Sequence, residues 1–294
     1  MDLARIDAFR KAYRLPDSFR RTATGHYVPL ARWLLEAPGK QPPIIGICGA
    51  QGTGKSTLAE FLALELKYMA GWSVAVLSMD DFYLSRSERL ELSHRVHPLL
   101  ATRGPPGTHD CEMMGDYLQR LRLLGYGESM ALPRFDKSRD DRAPPETWPR
   151  VPGPLNAIVL EGWCLGVPPQ NVGDLATPIN ELEASRDGDA RWRTHVNSRL
   201  RDDYADAFSQ LDRLIFLQAP DMASVLRWRS KQERKLIAGT SAREPGVMNE
   251  AQLREFVQHF ERLSRVAMAE LPAMADVTLV LDSSHQVSES HYRN

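Results

Sequence analysis

Residues 49–56 read Gly-Ala-Gln-Gly-Thr-Gly-Lys-Ser, and they match the pattern GxxxxGK[ST] at every defined position. The apolar run PPIIGICGA (residues 42–50) leads into this stretch. A helical pattern that includes Leu58, Phe61 and Leu62 follows it. A strand before the pattern and a helix after it are the context in which it forms a phosphate-binding loop. We therefore predict a nucleotide-binding loop here rather than a merely structural glycine-rich turn.

Each residue type in this loop has a chemical task. Glycines let the backbone curl so that successive N–H groups point at phosphate oxygens, and the following helix adds its N-terminal dipole. Lys55 can reach the β- and γ-phosphates, Ser56 can ligand Mg²⁺, and Thr57 lies near the α-phosphate or simply starts the helix. The predicted nucleotide-binding residues are Gly49, Ala50, Gln51, Gly52, Thr53, Gly54, Lys55, Ser56 and Thr57.

Four further apolar runs predict strands of the same sheet. They are WSVAVLSM, LNAIVL, LDRLIFLQA and DVTLVLD, at residues 72–79, 155–160, 211–219 and 276–282. Helical stretches at 190–209, 221–238 and 249–270 lie between or beside the later runs. Short apolar runs that alternate with helices are typical of a parallel sheet buried on both faces, and so of a doubly wound α/β fold.

Outside this alternation lie an N-terminal segment and two long loops. Residues 1–38 show helical spacing broken near Pro16 and Gly25, so we predict an N-terminal helical extension on a domain that spans 39–294. Residues 85–112 and 133–154 are rich in Pro, Gly, Arg and Asp. Long loops inside an α/β domain are usually functional, so we predict that both bind the substrate; plain solvated connections are the alternative.

Carboxylates follow two of the predicted strands directly. Asp80 and Asp81 come after the second run, and Glu161 ends the third. We predict Asp80 as the catalytic base, together with Lys55 as the other catalytic residue. Asp81 is predicted either to contact the substrate or to support the residues that do. Glu161 is predicted to share a metal ion with Ser56, because an acidic residue after an apolar strand orients the water shell of the metal. A helix cap or turn is the alternative role for the two aspartates, and a charged residue that merely leaves the sheet is the alternative for Glu161.

A basic helix follows the fourth run, in the stretch DMASVLRWRSKQERK (residues 221–235). Such a helix can close over a bound triphosphate and stabilise the negative charge that develops on a phosphoryl group during its transfer. We predict a lid that contains Arg227, Arg229 and Arg234. A solvated helix face with ion pairs along it is the alternative.

Composition and charge exclude several classes of protein. Lys and Arg number 37 against 38 Asp and Glu, so the chain lacks the positive excess of a broadly nucleic-acid-binding protein. No apolar run approaches the roughly 20 residues of a membrane span, and we expect no membrane partner. The cysteines Cys48, Cys111 and Cys164 lie far apart without metal-type spacing, which fits a reducing cytoplasm. The guanine-recognition motif NKxD is missing, so a GTPase is not expected.

In their order, the motifs resemble the D-glycerate 3-kinase family within the phosphoribulokinase, uridine kinase and pantothenate kinase group. The motifs are the phosphate loop, MDDFYL, RGPPGTHD (103–110), PRFDKS (133–138), DDRAPPETWP (140–149), EGWCLG (161–166) and LRWRSKQE (226–233). This resemblance implies a P-loop NTPase-type three-layer fold with a five-stranded parallel sheet, plus the N-terminal helices. It also implies ATP and Mg²⁺, and transfer of the γ-phosphoryl group to a small-molecule hydroxyl. The family's aspartate corresponds to Asp80 and its glutamate to Glu161.

D-Glycerate is the expected acceptor, and its carboxylate requires positive partners. The predicted substrate-binding residues are Asp81, Tyr83, Arg103, His109, Asp110, Arg134, Asp136 and Lys137. A nucleoside, pantothenate or another sugar acid stays open as the acceptor, because Tyr83, Phe135 and Trp163 could form a base pocket. An ATP-binding regulatory protein is the alternative from another class.

Overall fold

A mostly parallel sheet forms the centre of the computed structural model, which describes residues 2–36, 39, 41–239 and 248–293. Parts of two predictions lie outside the described residues: 1, 37 and 38 of the N-terminal extension, and 40, 240–247 and 294 of the following domain. The boundary between the two stays a prediction. The described strands are β1 (Ile44–Gly49), β2 (Val74–Ser78), β3 (Ser129–Ala131), β4 (Phe135–Asp136), β5 (Asp141–Arg142), β6 (Arg150–Pro152), β7 (Ala157–Gly162), β8 (Arg213–Gln218), β9 (Val277–Leu281) and β10 (Val287–Tyr292).

The strand order in the central sheet is β10-β9-β8-β1-β7-β2. The five strands from β9 to β2 run parallel, and they are the five apolar runs of the sequence, so the predicted five-stranded parallel core is confirmed. A sixth strand, β10, pairs antiparallel with β9 and was not predicted. Its sequence VSESHY carries no apolar run, since the strand lies at the edge of the sheet, where half of its residues are exposed.

Helices cover both faces of the sheet, which confirms the three-layer α/β fold. Along β1, Ile44 and Cys48 face one apolar core, and Ile45 and Ile47 face the other. The described helices are α1 (Leu3–Ala12), α2 (Phe19–Thr22), α3 (Val28–Glu36), α4 (Lys55–Ala70), α5 (Arg86–Arg95), α6 (Cys111–Arg122), α7 (Glu181–Arg186), α8 (Arg191–Arg199), α9 (Ala205–Phe208), α10 (Met222–Gly239) and α11 (Glu250–Met274).

The N-terminal helices pack into the second of these cores. Ile6, Phe9 and Leu30 are buried in one cluster with Phe61 of α4 and with side chains of the sheet. The predicted break near Gly25 is wrong, because the chain continues from α2 through a π-helical turn (Ala23–Tyr27) into α3. A glycine in a helix costs only about 1 kcal/mol, which tertiary packing readily offsets.

The predicted loop over residues 85–112 is largely helical, and this part of the prediction is wrong. Helix α5 begins at a capping box, in which Ser85 Oγ accepts from the Glu88 backbone N–H and the Glu88 carboxylate accepts from the Ser85 N–H. These two bonds satisfy backbone groups that a helix start otherwise leaves free. The second loop, 133–154, carries the short β4–β5 hairpin and strand β6.

Candidate active site

The phosphate-binding loop connects β1 to α4, at the edge of the sheet where the parallel strands end. Gly54 has a φ of +98°, a conformation that favours glycine. A Cβ atom on Gly49 would lie 2.9 Å from the Leu217 Cβ on β8, so this position excludes a side chain. The ammonium of Lys55 donates to the Ala50 carbonyl at 3.3 Å. The cation is therefore held at the loop, next to the backbone N–H groups that would bind phosphate.

Ser56 and Glu161 meet beside this loop. Ser56 is in the first turn of α4 and Glu161 lies near the end of β7, which pairs directly with β1. The Ser56 hydroxyl donates to the Glu161 carboxylate at 2.9 Å, and Glu161 is only 8% exposed. A hydroxyl and a carboxylate are the hard oxygen ligands that Mg²⁺ prefers, so these two residues fit that ion. Their role as metal ligands stays a prediction.

Asp80 lies in a 3₁₀ turn (Met79–Phe82) that continues from the end of β2. Its carboxylate accepts from the Tyr83 hydroxyl at 2.8 Å and from the Lys137 ammonium at 2.6 Å. Burial acts to raise the pKa of Asp80, but the charge and hydrogen bond of Lys137 and the Tyr83 hydroxyl lower it to about 2. The carboxylate is therefore ionised at neutral pH.

Asp81 faces a different environment from its neighbour. It accepts from the Arg134 guanidinium at 3.0 Å and from the Phe135 backbone N–H at 3.1 Å, and so holds the second loop against the turn. Burial raises the pKa of Asp81 despite the nearby charge of Arg134. The two adjacent carboxylates are thus separated by the turn: Asp80 faces the open cleft and Asp81 anchors a loop.

A cleft of about 650 Å³ runs across the phosphate-binding loop. At one end it is lined by residues from the acidic turn and its C-cap, the two long loops, the segment after β7 and α11. These residues are Asp80, Tyr83, Arg103, Lys137, Trp163 and Phe260. The other end is lined by the N-terminal segment 15–22 and by the turn between β9 and β10. We call the first the acceptor end and the second the distal end.

The structure distributes the predicted substrate residues unevenly. Tyr83, Arg103 and Lys137 line the acceptor end, although Arg103 is also ion-paired with Asp140. Arg134 and Asp81 contact each other, as described above. Asp110 caps α6 through the Met113 N–H and pairs with Arg142, and Asp136 accepts from Ser138 within its own turn. Substrate contact for these residues stays a prediction.

His109 lies behind Tyr83 rather than on the surface of the cleft. The two rings stack at 4.4 Å, and His109 Nδ1 lies 2.6 Å from the Tyr204 hydroxyl. That hydroxyl also accepts from the Gly107 N–H, so Tyr204 orients the imidazole. Burial lowers the pKa of His109 to about 3, so the ring is neutral. Tyr204 was missed because it lies in a π-helical turn far along the chain, with no motif around it.

The predicted lid helix is α10, and its arginines point in different directions. Arg229 lines the cleft, where it forms an ion pair with the buried Glu233 at 2.5 Å. Arg227 is exposed and donates to Ser224, and Arg234 is exposed and donates to a carbonyl of its own helix. Of the three predicted lid residues, Arg229 is thus the one that the structure places in the cleft.

Among the described helices, none combines the length and apolar character needed to cross a membrane.

Comparison with known proteins identifies the relatives of this chain. No protein-family model matches it. An uncharacterized kinase of Schizosaccharomyces pombe, mug58, is 34% identical over 231 residues, which are 76% of this chain and 80% of that protein. The chloroplastic D-glycerate 3-kinase of Arabidopsis thaliana is 34% identical over 227 residues, which are 74% of this chain but only 46% of the plant protein.

A solved structure supports the same relationship. The D-glycerate 3-kinase of Cryptococcus neoformans superposes with a TM-score of 0.72 at 25% identity, and the superposition covers 92% of this chain and 98% of that one. The similarity therefore extends over both the N-terminal helices and the sheet. The phosphate-binding loop, the acidic strand ends and these relatives agree, and the chain belongs to the family of ATP-dependent P-loop kinases for small molecules that includes the yeast and plant proteins.

Proposed function

We propose that this kinase transfers the γ-phosphoryl group of ATP to a hydroxyl of D-glycerate. The observation that carries the proposal is the acceptor end of the cleft, where the ionised Asp80 lies with the cations Lys137 and Arg103. A carboxylate can orient a hydroxyl, and the cations can bind the carboxylate of the same small molecule. The names of the plant and Cryptococcus relatives support this acceptor.

The donor side of the reaction uses the phosphate-binding loop. Backbone N–H groups between Gly49 and Gly54 would bind the phosphates, and Lys55 would move from the Ala50 carbonyl to the phosphate oxygens. Ser56 and Glu161 would hold Mg²⁺, which neutralises charge on the phosphates when bound. Arg229 can add a further positive charge from α10. Most of the rate enhancement then comes from positioning and electrostatics.

Asp80 acts on the acceptor hydroxyl. In the proposed complex its carboxylate accepts a hydrogen bond from the hydroxyl and takes the proton as the phosphoryl group is transferred. A pKa of about 2 makes Asp80 a weak base, but it keeps the carboxylate ionised and able to orient the nucleophile. Orientation is the larger requirement in phosphoryl transfer, because the transition state is loose.

An acceptor panel tests the proposed substrate. ATP consumption and phosphorylated product are measured with D-glycerate, L-glycerate, pantothenate and uridine. We expect kcat/KM for D-glycerate to exceed that for each of the others by at least about 100-fold, or about 2.7 kcal/mol. A higher value for uridine or pantothenate would replace D-glycerate as the substrate. Failure to phosphorylate any acceptor, together with ATP-dependent complex formation, would favour a regulatory role.

The two neighbouring aspartates provide a matched pair of variants for the chemistry. Asp80→Asn should reduce kcat by about 10²–10⁴-fold while the Kd for Mg·ATP stays within threefold, since Asp80 contacts the acceptor. Asp81→Asn should change kcat by less than tenfold, because the asparagine oxygen can still accept from the Phe135 N–H and so keep the second loop in place. Equal losses in the two variants would remove Asp80 from its proposed role.

We also propose a cytoplasmic location. Cys48, Cys111 and Cys164 are unpaired and buried, which suits a reducing compartment. Cell fractionation with a specific antibody tests this, and recovery in an organelle or an oxidising compartment would contradict it.

A further inference from the structure

The distal end of the cleft has the position and chemistry of a site for the nucleotide base. The transferred phosphoryl group must lie beside Asp80 and Lys55, so the opposite end of the nucleotide must lie away from the acceptor end. The cleft continues in that direction, past Thr57, to the N-terminal segment 15–22 and the β9–β10 turn. Phe19 of this segment packs on Phe61 of α4, the helix that follows the phosphate-binding loop.

A hydrogen-bonded pair of side chains joins the two walls of the distal end. The buried Thr22 and the Gln286 side chain both line the cleft, and the Thr22 hydroxyl donates to Gln286 Oε1 at 3.3 Å. Gln286 Nε2 donates to the His285 carbonyl at 3.2 Å. A carbonyl oxygen only accepts, so this second bond fixes which end of the amide carries nitrogen. The Thr22 hydroxyl must then be the donor to the remaining amide oxygen.

The fixed amide retains one donor and one acceptor for a ligand. Nε2 has a second N–H and Oε1 has a second lone pair. An amide of this kind pairs with adenine through two hydrogen bonds. The amide N–H donates to N7 of the base, and the amide oxygen accepts from the exocyclic N6 amine. Guanine presents two acceptors, O6 and N7, along the same edge, so the Gln286 oxygen would face O6 without a hydrogen bond. The orientation imposed by Thr22 and His285 therefore favours adenine.

Apolar side chains that line the same end of the cleft suit the faces of a purine. Leu15 and Pro16 come from the N-terminal segment, and Val287 comes from the start of β10. These groups cover an aromatic ring without competing for its polar edge. The distal end thus combines two apolar walls with one oriented amide.

We propose that the N-terminal segment 15–22 and the β9–β10 turn form an adenine-specific base site, in which Gln286 reads the base edge and Thr22 holds Gln286 in position. The inference rests on the proposed function insofar as the bound nucleotide is the ATP that the kinase uses. It gives the N-terminal helices a role in nucleotide selection. It does not depend on the identity of the acceptor.

Direct nucleotide binding tests this site. The Kd values for Mg·ATP and Mg·GTP are measured by calorimetry on the full chain, without an acceptor. Gln286→Ala should weaken ATP binding by about 10- to 100-fold, which is the discrimination carried by one bidentate amide–base pair, and should change GTP binding much less. Thr22→Val should shift the ATP preference in the same direction by a smaller factor, since it releases the amide without removing it.

Ser288→Ala is the matched control, because Ser288 lies on β10 in the same hairpin and its hydroxyl donates to the Val280 carbonyl rather than to a group of the distal end. It should leave both Kd values unchanged, and thermal unfolding confirms that each variant is folded. If Gln286→Ala retains the ATP affinity and the preference over GTP, the base site is wrong. If Gln286→Ala loses the preference for ATP but the wild type phosphorylates no tested acceptor, the base site is supported and the proposed function is rejected. If the wild type phosphorylates D-glycerate but Gln286→Ala keeps the preference for ATP, the proposed function is supported and the base site is rejected.

Discussion

At the scale of single residues, the exposed Lys137 makes the largest contribution that keeps Asp80 ionised. Burial alone would raise the pKa of the Asp80 carboxyl, and Lys137 is the first cause that opposes it. Because the resulting pKa is about 2, protonation of Asp80 begins only well below pH 5. Activity between pH 5 and pH 8 should therefore show no loss that arises from this group.

Lys137→Met should change that pH dependence. Without the ammonium, burial dominates and the pKa of Asp80 rises, so the carboxylate becomes protonated as the pH falls and kcat/KM falls with it. The measurement is the pH profile of kcat/KM for D-glycerate from pH 5 to pH 8, which reports groups of the free enzyme. Lys137→Arg retains the charge and should retain the flat profile; Lys11→Met, at an exposed position, is the remote control. Profiles of identical shape in the wild type and Lys137→Met would show that Lys137 does not control Asp80.

At the scale of elements, Arg89 of α5 ties together the two loops that are predicted to bind the substrate. This arginine is 1% exposed, and its guanidinium donates to the carbonyls of Leu84, Ala101 and Asp140. It also forms an ion pair with the Asp140 carboxylate at 3.0 Å. Asp140 in turn binds Arg103, which lines the acceptor end. The position of Arg103 in the cleft thus depends on a contact made inside the loops.

Arg89→Met should loosen both loops. The substitution leaves several carbonyl groups without donors and breaks a partly buried ion pair, so we expect the free energy of unfolding to fall by about 3 kcal/mol. The KM for the acceptor should rise at least tenfold as Arg103 loses its support. Urea unfolding and steady-state kinetics measure the two effects. Arg86→Met, on the exposed side of the same helix, should stay within about 0.5 kcal/mol of the wild type. Equal stabilities for the two variants would contradict the role of Arg89.

At the scale of the whole molecule, the N-terminal helices complete one layer of the fold. The ring of Phe9 stacks on Tyr13 at 4.2 Å and meets Phe61 of α4 edge-on at 5.2 Å. Arg5 of α1 also pairs with the fully buried Glu65 of α4 at 2.7 Å. Since α4 begins at the phosphate-binding loop, the N-terminal helices support the helix that positions Lys55 and Ser56.

Phe9→Ala should therefore destabilise the whole fold rather than the first helices alone. We expect a loss of about 3–5 kcal/mol, the usual cost of removing a large buried ring. Guanidinium unfolding followed by circular dichroism and by nucleotide binding should show one shifted transition with both probes. Leu3→Ala, which removes an exposed side chain from the same helix, should have little effect. Separate transitions for the two probes would show that the N-terminal helices unfold independently.

The strands could be predicted from apolar runs in the sequence, but the contacts between distant loops could not. Asp80 and Lys137 form an ion pair although they lie 57 positions apart in the sequence. From the sequence, any of several arginines in the two loops could have paired with each carboxylate. The structure pairs Arg134 with Asp81 and Arg142 with Asp110, and leaves Lys137 for Asp80. No local pattern distinguishes these pairings, because they depend on how the loops fold over each other.

The sequence by itself determined the phosphate-binding loop, the five parallel strands and the family. These features depend on neighbouring residues: glycines that allow one tight turn, and apolar runs that must be buried on both faces of a sheet. Tertiary structure alone decided that β10 extends the sheet, that the N-terminal segment lines the cleft, and that Arg89 and Tyr204 hold residues beside it. Arg89 and Tyr204 act through partners such as Asp140 and His109, which lie 51 and 95 positions away in the chain, so no local pattern specifies these contacts. Strand β10 directly follows its partner β9, but its place at the edge of the sheet leaves it without the apolar run that marks the other strands.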